Sequence, residues 1–141
     1  MSDLVISLNT QALRDDIDRE VSKVAARTRN DGVSMYDILK IYTSDEQLVL
    51  NALNDSVRSI VSQFSDIATV GNGAVSFSVP DFDPANTEEL TDEVGRYLAS
   101  RTVADWFLTR LPDMAQYFAN LSVESLGRMT TMLRHRKRVT R

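Results

Sequence analysis

The chain has 141 residues, 43% of them hydrophobic and 26% charged, and a formal net charge of −4 at pH 7. With only three prolines, this composition predicts one globular domain and excludes an intrinsically disordered chain. The absence of cysteine excludes disulfide bonds, thiolate chemistry and cysteine-bound metals.

The N-terminal residues predict a short strand rather than a signal peptide. Leu4, Ile6 and Leu8 alternate with more polar neighbours, which is the period of a strand. Asp3 stands where a signal peptide carries positive charge, and the apolar run is too short for a signal core. No stretch approaches the roughly 20 apolar residues that cross a bilayer. We therefore expect a soluble protein that stays in the cytoplasm.

Three helical segments are predicted between this strand and residue 64. The first begins at Asn9 or Thr10, whose side chains suit a helix cap, and ends at residues 30–32, where Gly32 accepts a left-handed conformation. A short segment at 34–42 follows, and Thr43 or Ser44 caps the next helix. Helical spacing of apolar residues gives each segment an apolar face, and that of the first is a buried stripe: Leu13, Ile17, Val21 and Val24; Met35, Ile38, Leu39 and Tyr42; Val49, Leu53, Val57, Ile60, Val61 and Phe64.

Residues 67–79 change to the period of two that is typical of strands. Val75, Phe77 and Val79 share one face, and residues 71–73 supply a glycine-rich turn. Because an isolated hairpin is marginally stable in water, the N-terminal strand is expected to join it.

Two more helices follow, beginning near Asn86 or Thr87 and at Pro112, which suits a first helical turn. The apolar surface of the earlier one is broad enough to predict several neighbours. The predicted fold is mainly α with minor β: about four helices in a bundle-like core, with a small antiparallel element made of the N-terminal strand and the hairpin near 67–79. Residues 1–133 form the domain and residues 134–141 a basic tail.

The chain offers little that resembles an active site. Its single histidine, His135, lies in the basic tail without a nearby carboxylate. The acids at Asp15, Asp16, Asp18 and Glu20 spread around a helix near its positive end, which predicts charge compensation rather than a metal site. We therefore expect no catalytic, cofactor-binding or metal-binding residues and no enzymatic activity.

Two aromatic pairs in the last two helices could belong to a core or to a contact surface. The pairs Trp106-Phe107 and Tyr117-Phe118 occur at helical spacing, so core packing is the first interpretation. The alternative is that an exposed aromatic residue contacts a neighbouring subunit, with Tyr97, Trp106 and Phe107 as the candidates.

The charge is strongly divided along the chain. Residues 1–124 hold all 20 acids and ten of the 16 basic residues, a net charge of −10, whereas residues 125–141 hold six basic residues and no acid. Three interpretations of the tail were considered: complementing a helix C-terminus, docking into an acidic protein surface, or contacting nucleic acid. The acidic body disfavours nucleic acid, and the other two remain open. The docking residues would be Arg134, Arg136, Lys137, Arg138 and Arg141.

The chain resembles small virion proteins of tailed phages and prophages of gut Bacteroidetes. The resemblance lies in the strand at residues 4–9, the segments 82–86, 97–99 and 103–107, which includes Trp106, and the arginine-rich end at 134–141. By gene size and organisation these proteins resemble head-to-tail connector, neck or adaptor proteins.

The resemblance implies a structural virion protein at the neck, present in the host cytoplasm during assembly. It implies a homo-oligomeric ring, typically twelve-fold, that joins the portal protein to other neck or tail rings, with DNA only as passing cargo. It implies no cofactor and no catalytic residue. The alternative function is a small regulatory or nucleic-acid-binding module that acts through its basic C-terminal tail.

Overall fold

The computed structural model describes residues 3–71, 74–79 and 82–134. Four long helices and a small sheet make up most of this part of the chain. The elements in chain order are β1 (Asp3–Ser7), α1 (Thr10–Arg27), β2 (Arg29–Asn30), β3 (Val33–Ser34), α2 (Tyr36–Leu39), α3 (Glu46–Gln63), β4 (Ala68–Gly71), β5 (Ala74–Ser78), α4 (Thr87–Phe107) and α5 (Pro112–Arg134). Single 3-10 turns at Thr43–Asp45 and Pro84–Asn86 precede α3 and α4.

The sheet confirms the predicted β element. Its strand order is β1-β5-β4, and both pairings are antiparallel, so the N-terminal strand does join the hairpin. Ile6 pairs with Val75, and Phe77 lies between Leu4 and Ala68. Ile6, Val75, Phe77 and Ala68 are buried, because alternate residues of each strand point to the helices.

Helix α4 is the centre of the molecule and packs against α1, α3 and α5. This confirms that its broad apolar surface serves several neighbours. Hydroxyl contacts join it to α3, where Ser59 Oγ lies 2.7 Å from Tyr97 Oη. Its buried residues are Leu90, Glu93, Val94, Tyr97, Leu98, Thr102, Val103, Trp106 and Phe107.

The predicted caps of α1 and α5 are correct. The side-chain oxygen of Asn9 accepts a hydrogen bond of 3.0 Å from the amide of Ala12, and Pro112 is the first residue of α5. The buried side chains of all the major elements form one core. The part of the chain that the structure describes holds no helix that is both long and apolar enough to cross a membrane.

The predicted end of the first helix is wrong by several residues. Helix α1 stops at Arg27, and residues 29–34 form a small hairpin, β2–β3, that the sequence interpretation missed. Asp31 and Gly32 both have positive φ values, 53° and 80°, as a two-residue loop of the tight hairpin type requires. The Asp-Gly pair therefore forms the turn of a hairpin and does not end the helix.

Candidate interaction surface

The aromatic residues considered as a subunit contact lie inside the chain. Tyr97, Trp106 and Phe107 are 3%, 4% and 0% exposed. The Phe107 ring stacks on Phe118 with 6.1 Å between centroids, which helps to join α4 to α5. The expectation that these residues present an exposed contact is therefore wrong, because the surrounding helices already cover them.

Trp106 has a different role, since it holds the segment around α2 against the core. Its indole nitrogen donates a hydrogen bond of 2.8 Å to the backbone carbonyl of Leu39, and both residues are buried. Arg110 covers the outer side of the indole, with its guanidinium 3.7 Å from the ring centroid, and donates to the Trp106 carbonyl. The end of α4 thus fixes the position of Leu39.

Around Leu39 the chain exposes an unusual number of apolar side chains, on a segment that we call the ledge and define as residues 33–48. These sixteen residues are an eighth of those described, yet they supply five of the ten large hydrophobic side chains that are exposed. The five are Val33, Tyr36, Ile38, Tyr42 and Leu48. Apolar side chains gathered on an exposed surface indicate an interaction site more strongly than scattered ones do.

The predicted apolar face of this segment is only partly buried. Leu39 is buried, whereas Ile38 is 66% and Tyr42 43% exposed. Helix α2 has only four residues, so it cannot turn several side chains toward one neighbour. Part of the apolar face of this segment therefore stays exposed and belongs to the ledge.

Two tyrosines of the ledge hold a lysine between them. The Lys40 ammonium lies 5.3 Å from the ring centroid of Tyr36 and 4.7 Å from that of Tyr42. The Tyr42 hydroxyl donates to the Asp37 carbonyl, which fixes its ring. The faces of the two tyrosine rings are suited to cations, because the electron-rich face of an aromatic ring attracts positive charge.

The ledge also carries acidic side chains. Residues 33–48 contain three acidic residues, Asp37, Asp45 and Glu46, and one basic residue, Lys40. Glu46 forms an ion pair of 2.7 Å with Arg14 of α1. Among the residues described, neither Asp37 nor Asp45 pairs with a basic side chain, so the ledge combines exposed aromatic rings with uncompensated negative charge.

The basic tail begins from a fixed point. Arg134, the last residue of α5, donates two hydrogen bonds, of 2.8 and 2.9 Å, to the two carboxylate oxygens of Asp66. Its guanidinium also lies 5.6 Å from the Phe64 ring centroid. The hydrogen bonds from Arg134 lower the pKa of Asp66 and raise that of Arg134 itself. Arg134 thus belongs to the body, while the other predicted docking residues lie outside the described residues: Arg136, Lys137, Arg138 and Arg141.

A second charged feature is the buried carboxylate of Glu93. It is 3% exposed, and its Oε1 accepts hydrogen bonds from Arg96 at 2.6 Å and Arg128 at 2.9 Å. The two arginines lie beside an open cleft of about 640 Å³ between α1, α4 and α5, whose lining also includes Asp16 and Asp92. Glu93 joins α4 to α5, and the balanced charges of the cleft favour neither an anion nor a cation.

The acidic residues of α1 do not converge. Asp15 accepts from Gln11, Asp16 pairs with Arg19, and Glu20 pairs with Lys23, so each faces a different neighbour. Within residues 3–71, 74–79 and 82–134, no three His, Asp or Glu side chains are grouped as a metal ion would need. No protein-family model, curated protein or solved structure matches the chain.

Proposed function

We propose that this chain is a structural assembly protein, a head-to-tail connector of a tailed-phage neck that forms a ring of identical copies between the portal and the tail. The observation that carries the proposal is the ledge: exposed apolar side chains concentrated on a short segment that Trp106 holds rigidly. The resemblance of residues 82–86, 97–107 and 134–141 to neck proteins supplies the biological setting.

A ring needs two different surfaces on each subunit. Each copy contacts its two neighbours through different patches, and rotation about one axis closes the assembly. The ledge supplies one apolar patch. Because the Trp106–Leu39 hydrogen bond and the packing of α2 and β3 on α1 hold it in place, it reaches a neighbour already ordered, which lowers the entropic cost of association.

The test compares two substitutions of equally exposed residues. Ile38 of the ledge and Val123 of α5 are both 66% exposed. If the ledge is buried on assembly, Ile38→Ser removes about 1.5–3 kcal/mol of apolar burial per contact and weakens association tenfold or more. Val123→Ser should leave association unchanged. Sedimentation velocity and negative-stain electron microscopy of the purified chain, alone and with the portal protein of the same genome, measure the outcome.

Three results would contradict the proposal. The chain could stay monomeric alone and with that portal, the two substitutions could weaken rings equally, or the chain could be absent from purified virions by mass spectrometry. A steep loss of DNA or RNA binding with rising salt, without any ring, would instead support the nucleic-acid-binding alternative.

A further inference from the structure

We propose that the ledge of one copy binds the basic C-terminal segment, residues 135–141, of a second copy. This inference rests on the proposed function and names the partner of its main surface. The two surfaces of the ring interface are then the ledge and the segment that follows Arg134.

The charges of the two surfaces are opposite. The segment carries Arg136, Lys137, Arg138 and Arg141 and no acid. The ledge carries Asp37 and Asp45 without basic partners among the described residues. Opposite charges raise the rate of encounter and fix the orientation of the two partners.

The aromatic rings of the ledge are suited to the same side chains. Lys40 lies at 5.3 and 4.7 Å from the centroids of Tyr36 and Tyr42, so both rings already have a cation beside them. The two tyrosines are also 37% and 43% exposed, which leaves part of each side chain accessible to a partner. Arginine binds such faces more often than lysine does, and the segment contains three arginines.

Distance favours a second copy as the source of the basic cluster Arg136, Lys137 and Arg138. The ledge ends where α3 begins, whereas Arg134 is held by Asp66, just beyond the end of α3. The 18 residues of α3 separate these points by about 27 Å. The four residues from Arg134 to Arg138 span at most about 14 Å when fully extended, and the seven to Arg141 about 25 Å. The cluster at 136–138 therefore falls short of the ledge of its own chain, and only Arg141 comes near it.

Such a contact is head-to-tail. The ledge and the segment leave opposite ends of α3, so each copy uses one to bind the copy before it and the other to bind the copy after it. Contacts of this kind close into a ring when the rotation between copies allows it.

The first experiment measures binding directly. A fluorescent peptide of residues 134–141 is titrated with the full-length chain, and anisotropy gives the dissociation constant. We expect the Tyr36→Ser, Tyr42→Ser double variant to bind the peptide at least tenfold more weakly. Ile38→Ser, which removes no hydrogen bond, should also weaken binding of the peptide. The control Val123→Ser should bind as the unchanged chain does. Binding that is absent, or equal in all four proteins, would overturn the inference.

The second experiment tests the head-to-tail arrangement. One full-length variant carries R136E, K137E and R138E, and the other carries the two tyrosine substitutions. Each variant alone should be monomeric by sedimentation velocity. An equimolar mixture should form a one-to-one dimer, because the intact ledge of the first variant can still bind the intact basic segment of the second. A mixture that stays monomeric, or a charge-reversed variant that assembles as the unchanged chain does, would overturn the inference.

The two proposals fail in different ways. Rings that survive charge reversal of the segment but are lost with Ile38→Ser would refute this inference and leave the connector function standing. Specific binding of the peptide to a chain that never forms rings would support this contact and refute the ring.

Discussion

Trp106→Phe should loosen the ledge more than the loss of core volume explains. The substitution removes the indole N–H that donates to the Leu39 carbonyl, and both residues are buried. An unsatisfied buried acceptor costs about 1–3 kcal/mol, and the smaller ring adds roughly 1 kcal/mol for lost packing. The expected loss of unfolding free energy is therefore about 2–4 kcal/mol. This is below the roughly 5–15 kcal/mol of a typical domain, so the variant should still fold.

Urea unfolding and hydrogen exchange measure the two parts of this prediction. With an m-value of about 2 kcal/mol/M, the middle of the usual range, the midpoint should fall by roughly 1–2 M with an unchanged slope. Exchange of the amides of residues 36–42 should accelerate, because the carbonyl that ties this segment to α4 has lost its donor.

Phe107→Leu is the matched control. Phe107 is fully buried beside Trp106 and makes no side-chain hydrogen bond, so its shortening should destabilise the core without changing exchange at residues 36–42. A loss below about 0.5 kcal/mol for Trp106→Phe, or equal acceleration of exchange in both variants, would refute the proposed role of the indole.

Three further predictions concern the charged groups. Ending the chain after Arg134 should leave the fold and the melting temperature unchanged, because the ion pair of Arg134 with Asp66 is kept. A truncated chain with an altered circular dichroism spectrum would contradict this. Arg128→Met should cost about 1.5–3 kcal/mol because buried Glu93 loses a charged donor, whereas Arg58→Met at an exposed ion pair should cost less than about 0.5 kcal/mol in the same urea assay. The lowered pKa of Asp66 means that its ion pair stabilises the fold above the pKa of the unfolded chain and is lost as pH falls through the folded value. The stability advantage over Asp66→Asn should therefore be constant near neutral pH, begin to decline near pH 4 and disappear only at lower pH, and an advantage that vanished near pH 6 would contradict this.

Local patterns were enough to predict most elements of this fold. The spacing of Leu13, Ile17, Val21 and Val24, the cap at Asn9 and the position of Pro112 all depend on neighbours within a turn or two of the same helix. Such interactions are present in the sequence itself, so the mainly helical class and the small sheet could be predicted. The hairpin at 29–34 was missed because an Asp-Gly pair suits both a helix end and a tight turn.

The candidate site depended on contacts between distant parts of the chain. A helical pattern shows that one face is apolar but not what covers it, so core packing of Trp106 could be preferred over a subunit contact but not decided. Its hydrogen bond to Leu39 joins residues 67 apart in sequence, and the ion pair of Arg134 with Asp66 joins residues 68 apart. The same limit applied to Ile38, which the pattern placed on an apolar face and which a four-residue helix leaves exposed.

By itself, the sequence determined the helical class, the small sheet, the acidic body and the basic end, because composition and short-range periodicity encode them. Only the tertiary structure decided which apolar side chains are covered. Helices α1, α3 and α5 enclose α4 and bury Tyr97, Trp106 and Phe107, whereas Val33, Tyr36, Ile38, Tyr42 and Leu48 of the ledge stay exposed. Burial is a property of the neighbours that a residue acquires on folding, and the position of the interaction surface follows from it.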